Sequence, residues 1–302
     1  VHLVSVCTPN DTHAEIAIAA LAAGKHVWCE KPMSTTLADS TAMANAAASS
    51  AGKTIIGYNY TKNPAVTHAR RLIDNGVIGR VSGFFCRYDV DNEADGNRPW
   101  SWRMSRAQSG TGSNGDVLSH VISVAHFLTN SSISRVVGDY TIVHEERADS
   151  QAAGQTKIVD NDDMVAALIH FENGVKGHIG ASRVTWGRKC GLHWELHGTE
   201  GTIIYDQERL NELKLFTRQD NPATDGFRTI LTGPLHEPYA AFLPNGGHSL
   251  GYMDVKICEL HDLLSAIEAN SPVWPSFSDG LKIERVMDAV DRSAQTNKWV
   301  DV

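Results

Sequence analysis

A chain of 302 residues is long enough for two domains, each with its own hydrophobic core. Its net charge of -8 argues against a general nucleic-acid binder, because phosphate contacts require a basic face. The sequence lacks the long apolar run of a membrane span, and its five cysteines lack CxxC spacing. We therefore expect a cytoplasmic protein with reduced, packed cysteines and neither a disulfide framework nor a zinc framework.

The first residues read as strand, helix, strand. Residues 1–6 are apolar and β-branched, and they end at the turn 8–10 (TPN). A helical pattern then runs to Gly24, and residues 26–29 form a second apolar run that ends at 30–32 (EKP). In a right-handed parallel crossover both turns lie at the carboxyl edge of the sheet, where open α/β sheets bind ligands.

The remaining pattern changes near residue 80. Before it, helix and strand signals alternate, with a helix predicted over 36–50, a strand over 54–57 and a helix over 64–75. After it, strand-like runs with short connections indicate a largely antiparallel sheet, joined by helices over 116–128, 253–270 and 279–296. We predict a partial doubly wound α/β domain over 1–80 and an α+β domain with a large, mostly antiparallel sheet over 81–302.

Residues 110–115 (GTGSNG) match the GxGxxG pattern letter for letter. A dinucleotide fingerprint needs an apolar strand directly before it, and residues 102–109 are not one. We interpret the glycines as a loop that lets backbone approach a ligand, or as a flexible connection.

Asp116 and His120 follow that loop at a spacing of four, which places them on one face of an α-helix. A histidine can take a hydroxyl proton near neutral pH, and a nearby carboxylate can orient its ring. The plainer alternative is a carboxylate favoured by the helix dipole beside an ordinary buried histidine. The spacing alone favours that alternative.

Several motifs together resemble the glucose-fructose oxidoreductase and inositol dehydrogenase family (Gfo/Idh/MocA). The motifs are Thr8-Pro9-Asn10, His13, Ala23-Gly24-Lys25-His26-Val27, Glu30-Lys31-Pro32, and Asp116 with His120. The resemblance covers essentially the whole chain. It implies a Rossmann domain followed by a sheet domain, and an NAD(P)-dependent oxidoreductase acting on a sugar, a sugar derivative or a cyclitol.

The resemblance also implies roles for individual residues. His120 would remove the hydroxyl proton, Asp116 would hold and tune His120, and Lys31 would polarise the oxygen while hydride passes to the nicotinamide. Residues expected to bind the cofactor are Thr8, Pro9, Asn10, His13, Glu30, Lys31, Trp102 and Arg103. Residues expected to bind the substrate are Lys31, Arg103, Asp116, His120, His248 and Tyr252. His248 and Tyr252, like Arg183 and Trp186, are plausible sugar-facing groups from loops rather than residues that the resemblance implies, and each is equally well explained as structural.

The chain departs from the family pattern in three respects. Leu118 replaces a glycine and Ser123 an acidic residue around the retained small residue Ser119, which bears on substrate contact rather than on proton transfer. The family's opening Gly-rich turn and the acidic residue that selects the cofactor are absent, so roughly 60 residues are expected before residue 1. The sequence therefore does not decide between NAD and NADP as the cofactor. Pro32 restricts Lys31 to extended geometry and is compatible with a cis bond.

Two other functions stay open. His193, Glu195 and His197 alternate on a predicted strand and face one way, so they could bind a metal, as in a sugar isomerase or epimerase. The residues that follow, 198–201 (GTEG), instead resemble a structural hairpin of the family. The chain could also be a truncated, catalytically silent relative. Family habit further implies a homo-oligomer, a dimer or tetramer paired through the sheet.

Overall fold

The computed structural model describes residues 1–218 and 222–302. Its strands are β1 (Leu3–Val6), β2 (His26–Cys29), β3 (Thr54–Ile56), β4 (Val81–Asp89), β5 (Ile133–Thr141), β6 (Glu146–Ala148), β7 (Thr156–Ile158), β8 (Met164–Phe171), β9 (Lys176–Ser182), β10 (Gly191–Gly198), β11 (Gly201–Asp206), β12 (Glu212–Thr217), β13 (Arg228–Leu231) and β14 (Val300–Asp301). Its α-helices are α1 (His13–Ala22), α2 (Leu37–Ala48), α3 (Pro64–Asp74), α4 (Arg106–Ser109), α5 (Ser119–Thr129), α6 (Tyr252–Glu268) and α7 (Phe277–Thr296).

The first three strands form a parallel sheet in the order β1-β2-β3. Val4 pairs with Val27, and Val27 pairs with Thr54. Gly24 adopts a φ of +69° directly after α1, which is the left-handed conformation that glycine permits at a helix end. The predicted strand, helix, strand order is confirmed, and both strand-end turns lie at one edge of this sheet.

The second sheet has nine strands in the order β13-β12-β11-β10-β4-β9-β8-β5-β14. Neighbouring strands are antiparallel except for β4 and β9, which run parallel. Gly177 faces the β4 backbone at that parallel contact, where an added Cβ would lie 1.7 Å from the carbonyl oxygen of Phe84. The prediction of a large, mostly antiparallel sheet is confirmed.

One continuous apolar core connects the two sheets. Helix α7 packs against β5 of the large sheet and against α2 and β3 of the small one, so the end of the chain returns to the beginning. The proposed boundary at residue 80 falls just before β4, and it stays a prediction. Within the described residues no helix is both long and apolar enough to cross a membrane.

The cysteines only partly follow the sequence expectation. All five are unpaired thiols, and Cys29, Cys86 and Cys258 are buried packing residues. Cys7 and Cys190 are exposed instead, because both lie in loops at the rims of cavities described below.

Glu284 of α7 is a buried carboxyl group beneath the 30–32 turn. It accepts a hydrogen bond from the backbone N–H of Met33 at 2.8 Å, the residue that follows Pro32. Burial raises the pKa of Glu284 from 4.5 to about 8, against the opposing effect of that hydrogen bond. The group therefore contacts the turn in its protonated form at neutral pH.

This carboxyl group should make stability depend on pH. Between pH 4.5 and 8 the folded protein holds a proton that the unfolded chain releases, so the free energy of unfolding falls as the pH rises through this window. Glu284→Gln cannot ionise and should be more stable than the native protein by about 2–4 kcal/mol at pH 8, and by much less at pH 5. Urea unfolding at both pH values measures this difference. Parallel stability curves for the two proteins would contradict the assignment.

Candidate active site

The two turns at the edge of the small sheet are tied together by His13. Its Nδ1 lies 3.0 Å from the carbonyl oxygen of Pro32, and its Nε2 lies 2.9 Å from the carbonyl oxygen of Thr8. The ring is buried at the start of α1. The Lys31-Pro32 peptide bond is cis, as the sequence allowed. His13 thus sets the spacing of the TPN and EKP turns.

A cavity of about 390 Å³, here called the first cavity, opens between these turns and the second domain. Asn10 Nδ2 donates to the carbonyl oxygen of Ser109 at 3.2 Å across it. The guanidinium of Arg103 lies 4.4 Å from the ring centre of Trp102, a cation–π contact. All eight residues expected to bind the cofactor line this cavity: Thr8, Pro9, Asn10, His13, Glu30, Lys31, Trp102 and Arg103.

A second cavity of about 450 Å³ lies on the other side of Lys31. Tyr60, Tyr88 and Tyr252 contribute aromatic walls. The hydroxyls of Tyr60 and Tyr88 are hydrogen-bonded at 2.8 Å. Four residues expected to bind the substrate line this cavity: Lys31, Asp116, His120 and Tyr252. Of these, Lys31 and Asp116 also line the first cavity, so the two cavities meet at this pair.

Lys31 and Asp116 form an ion pair between the two domains. Lys31 Nζ donates to Asp116 Oδ1 at 2.5 Å and to the backbone carbonyl oxygen of Asp116 at 2.7 Å. Burial works against the charge of the carboxylate, but Lys31, Arg103 and Arg183 together lower the pKa of Asp116. The carboxylate therefore stays ionised and holds the lysine in place.

The expected contact from Asp116 to His120 is not formed in the described residues. Residues Asn114–Leu118 form one π-helical turn ahead of α5, so a spacing of four no longer places both side chains on one helix face. Asp116 is turned to Lys31 instead. The predicted pairing rested on α-helical geometry, which the π-helical turn does not provide.

His120 is buried among three tyrosines. Its ring centre lies 4.4 Å from that of Tyr60, 5.7 Å from Tyr58 and 5.8 Å from Tyr88. Within the described residues its Nδ1 has no hydrogen-bond partner. Burial, together with the ammonium groups of Lys31 and Lys256, lowers the pKa of His120 well below 6.5. The imidazole is therefore neutral at physiological pH and able to accept a proton.

The Gly-rich loop holds the backbone around Asp116. The buried carboxylate of Asp162 accepts from the N–H of Gly112 and from the N–H of Asn114, both at 2.7 Å. A Cβ on Gly112 would lie 2.0 Å from the carbonyl oxygen of Asp162, so this position requires glycine. The loop follows helix α4 rather than a strand, which confirms that it is no dinucleotide fingerprint.

Arg183, the residue directly after β9, supports the same region. Its guanidinium donates to Asp163 Oδ1 and to Asn161 Oδ1, each at 2.8 Å, and to the carbonyl oxygen of Arg103 at 3.2 Å. The side chain is buried and lines the first cavity. The sequence did not identify Asn161, Asp162 and Asp163 as supporting residues. The only signal for them was a run of three adjacent polar residues in front of a strand.

Some candidate residues are not brought together. His248 is exposed in a loop and does not line either cavity within the described residues; its Nδ1 faces the carbonyl oxygen of Asn245 at 3.4 Å. Its predicted role in substrate binding stays untested. Trp186 is also exposed and outside both cavities as described.

His193, Glu195 and His197 of β10 form a row on the open face of the large sheet. Glu195 sits between two imidazoles, 3.5 Å from His193 Nε2 and 3.2 Å from His197 Nε2. Among the described residues no group of three or more His, Cys, Asp or Glu side chains is arranged to hold a metal ion. The row leads into the β10–β11 hairpin, as the structural interpretation of the GTEG text expected.

Comparisons with known proteins agree along the chain. Residues 1–58 match a family model described as "Oxidoreductase family, NAD-binding Rossmann fold", and residues 66–204 match the "GFO/IDH/MocA C-terminal domain". Levoglucosan dehydrogenase of Pseudarthrobacter phenanthrenivorans is 39% identical over all of this chain and 80% of the relative. A solved structure, "Levoglucosan dehydrogenase, complex with NADH and levoglucosan", gives a TM-score of 0.96 at 39% identity, covering all of this chain and 80% of the other. Inositol 2-dehydrogenase of Rhizobium meliloti is 24% identical over 99% of this chain and 80% of the relative.

Proposed function

The chain belongs to the Gfo/Idh/MocA oxidoreductase family, and from this premise we propose that it is an NAD-dependent dehydrogenase of a neutral sugar, anhydrosugar or cyclitol. Levoglucosan is the first substrate to test, because the 39% identical relative is named for it. The observation that carries the proposal is the position of Lys31 and Asp116 in the walls of both cavities, beside His120.

The residues of the first cavity fit the nicotinamide ribose half of the cofactor. The carboxylate of Glu30 can accept from ribose hydroxyls, while Asn10, Lys31 and Arg103 offer donors. Trp102 offers an apolar ring face beside them. When bound there, NAD supplies the hydride acceptor. NAD is preferred here over NADP because the similar solved structure contains NADH.

The second cavity supplies the proton chemistry. A substrate hydroxyl between Lys31 and His120 would lose its proton to the neutral imidazole, as the carbinol carbon gives up hydride. The Lys31 ammonium would stabilise negative charge on the oxygen during that transfer. Asp116 contributes by orienting Lys31 through their ion pair, rather than by orienting His120.

The charges of the second cavity favour an uncharged substrate. Among the described residues, every Asp, Lys and Arg side chain that lines it has an ionic partner: Lys31 with Asp116, Lys189 with Asp91, and Arg188 with Glu208. An anionic substrate would have to compete with a carboxylate partner for each of these cations. The three tyrosines match the apolar faces and hydroxyl edges of a sugar ring.

We also propose that the protein is cytoplasmic and forms a homo-oligomer, a dimer or tetramer, through the open face of the large sheet. Paired residues of four adjacent strands, Val137, Leu168, His178 and Phe85, form a row across this face. Leu168 is 54% exposed and Phe85 packs on His178 with ring centres 4.9 Å apart. An uncovered row with this much apolar surface suits contact with a second copy.

The first prediction of the proposed function concerns the two proton-handling residues, His120 and Lys31. His120→Asn removes the proton acceptor and should lower kcat by about 10²- to 10⁴-fold. Lys31→Met removes the charge that faces the oxygen and should lower kcat by about 10²- to 10³-fold. Steady-state oxidation of levoglucosan with NAD measures both, and urea unfolding serves as the folding control. Because the neutral form of His120 is active and its pKa lies below 6.5, native kcat/KM should not fall on going from pH 8 to pH 6.5. Unchanged turnover in both variants would reject the mechanism.

The second prediction separates an enzyme from a catalytically silent relative. Fluorescence titration should show NADH binding at or below about millimolar concentration, and NADPH binding more weakly. Arg103→Met should weaken NADH about fivefold by removing a donor in the first cavity. Arg209→Met is the matched control, because that exposed arginine lies outside both cavities. Absence of any binding at millimolar NADH would favour the silent relative.

The third prediction tests the charge of the substrate. We expect kcat/KM for levoglucosan to exceed that for glucose 6-phosphate by about fivefold or more, because the phosphate must compete with the carboxylate partners of Lys189 and Arg188. Asp91→Asn removes the ion-pair partner of Lys189. It should lower this ratio about fivefold, because kcat/KM for glucose 6-phosphate rises. Competing both compounds in one assay gives the ratio directly. A preference for the phosphate in the native protein would overturn the assignment to neutral substrates.

A further inference from the structure

Helix α6 reaches the site from the last quarter of the chain. Tyr252, Lys256 and Glu259 are spaced by four and three residues, so they share one face of the helix. Tyr252 lines the second cavity. Lys256 Nζ donates to Glu30 Oε1 at 2.7 Å and to Glu259 Oε2 at 3.1 Å. One helix face thus connects a wall of the substrate cavity to the residue that precedes Lys31.

Two residues at the end of β2 contact this face of α6: Trp28 lies in the strand, and Glu30 directly follows it. Trp28 and Glu30 are two residues apart and point the same way. Trp28 Nε1 donates to Glu259 Oε2 at 3.0 Å, while the Glu30 carboxylate accepts from Lys256 Nζ. The Lys256 side chain is only 13% exposed and Glu259 is fully buried, so this contact is shielded from solvent. It joins two turns of α6 to the end of the strand.

The surrounding backbone is shaped for the same contact. A Cβ on Gly57 would lie 2.6 Å from Glu30 Oε2 and 3.1 Å from Lys256 Nζ. A side chain at position 57 would therefore push the carboxylate and the ammonium apart. Within the part of the chain that the structure describes, Lys256 is the only cation paired with Glu30 and Glu259, so its removal leaves both without their charge partner.

We propose that Lys256 is a positioning residue for the dehydrogenation: by holding α6 on the strand end that presents Lys31, it fixes Tyr252 across the substrate cavity. This inference rests on the proposed function. It separates two tasks of α6, since Tyr252 contacts the substrate, while Lys256 acts on substrate affinity through Tyr252 and Glu30, in addition to its charge effect on His120. Loss of Lys256 should then change substrate affinity mainly through Tyr252.

A double-mutant cycle on KM tests this dependence. Lys256→Met should raise KM for levoglucosan about tenfold, and Tyr252→Ala should do the same. Adding Lys256→Met to the Tyr252→Ala protein should change KM less than about twofold, because the positioned ring is already gone. Lys256→Arg can still donate to both carboxylates and should recover most of the loss. Independent, multiplying effects would overturn the proposal, since a general structural role does not act through Tyr252.

A second variant tests the proposal if Lys256→Met alone folds poorly. Lys256→Met with Glu259→Gln removes the cation and one buried carboxylate together, so it should unfold at higher urea than Lys256→Met alone. Its KM should still be raised, because α6 has lost its contact with Glu30. A native KM in this double variant would count against the proposal.

Failure of the proposed function can be told apart from failure of this inference. If the native protein oxidises no sugar, the dehydrogenase assignment fails while the contact can still be measured. A cycle of Glu30→Gln and Lys256→Met on the unfolding equilibrium should show a coupling of at least about fivefold. Additive unfolding effects would show that Lys256 does not hold α6 on the strand, whatever the reaction.

Discussion

The ion pair between Lys31 and Asp116 is the contact on which the site depends. One partner ends a strand of the small sheet, and the other lies in the turn before α5 of the second domain. Because both residues line both cavities, this pair sets where a bound nicotinamide and a bound hydroxyl would meet. A short, charge-assisted hydrogen bond is directional as well as strong, so it fixes the angle of the ammonium together with its distance.

The pair needs support from both sides. On the small sheet, His13 bridges the two turns and Glu284 holds the backbone after Pro32. In the second domain, Asp162 clamps the Gly-rich loop and Arg183 holds the segment beside it. These residues do no proton transfer. They keep the backbone of two domains at a separation that one lysine side chain can bridge.

The sequence predicts the architecture well because its signals are local. Alternating helix and strand patterns before residue 80 and consecutive strands after it follow from hydrophobic periodicity, and the TPN and EKP turns follow from where apolar runs end. Six of the eight predicted cofactor residues line one cavity for the same reason, since parallel strands end at one edge, while Trp102 and Arg103 reach it from the segment after β4.

The pairing of side chains could not be predicted in the same way. The π-helical turn over Asn114–Leu118 inserts extra backbone that no periodicity reveals, and it redirects Asp116 from His120 to Lys31. The Asp162 clamp joins segments about 50 residues apart, and the tyrosines around His120 come from two distant segments, Tyr58 and Tyr60 from one and Tyr88 from β4. His248, chosen by residue type alone, lies outside both described cavities. Contacts of this kind depend on tertiary packing rather than on local sequence.

The charges around His120 explain how one site keeps a neutral base beside permanent cations. Lys31 and Lys256 both oppose protonation of the imidazole, yet each has a carboxylate partner within 2.7 Å. The pairs satisfy the ammonium groups while their residual field, together with burial, keeps His120 unprotonated. If the imidazole were paired with Asp116 instead, the carboxylate would favour the charged ring, and the proton acceptor would be occupied before the substrate arrived. In the proposed mechanism, the pairing of Asp116 with Lys31 thus leaves proton acceptance and oxygen stabilisation to different residues.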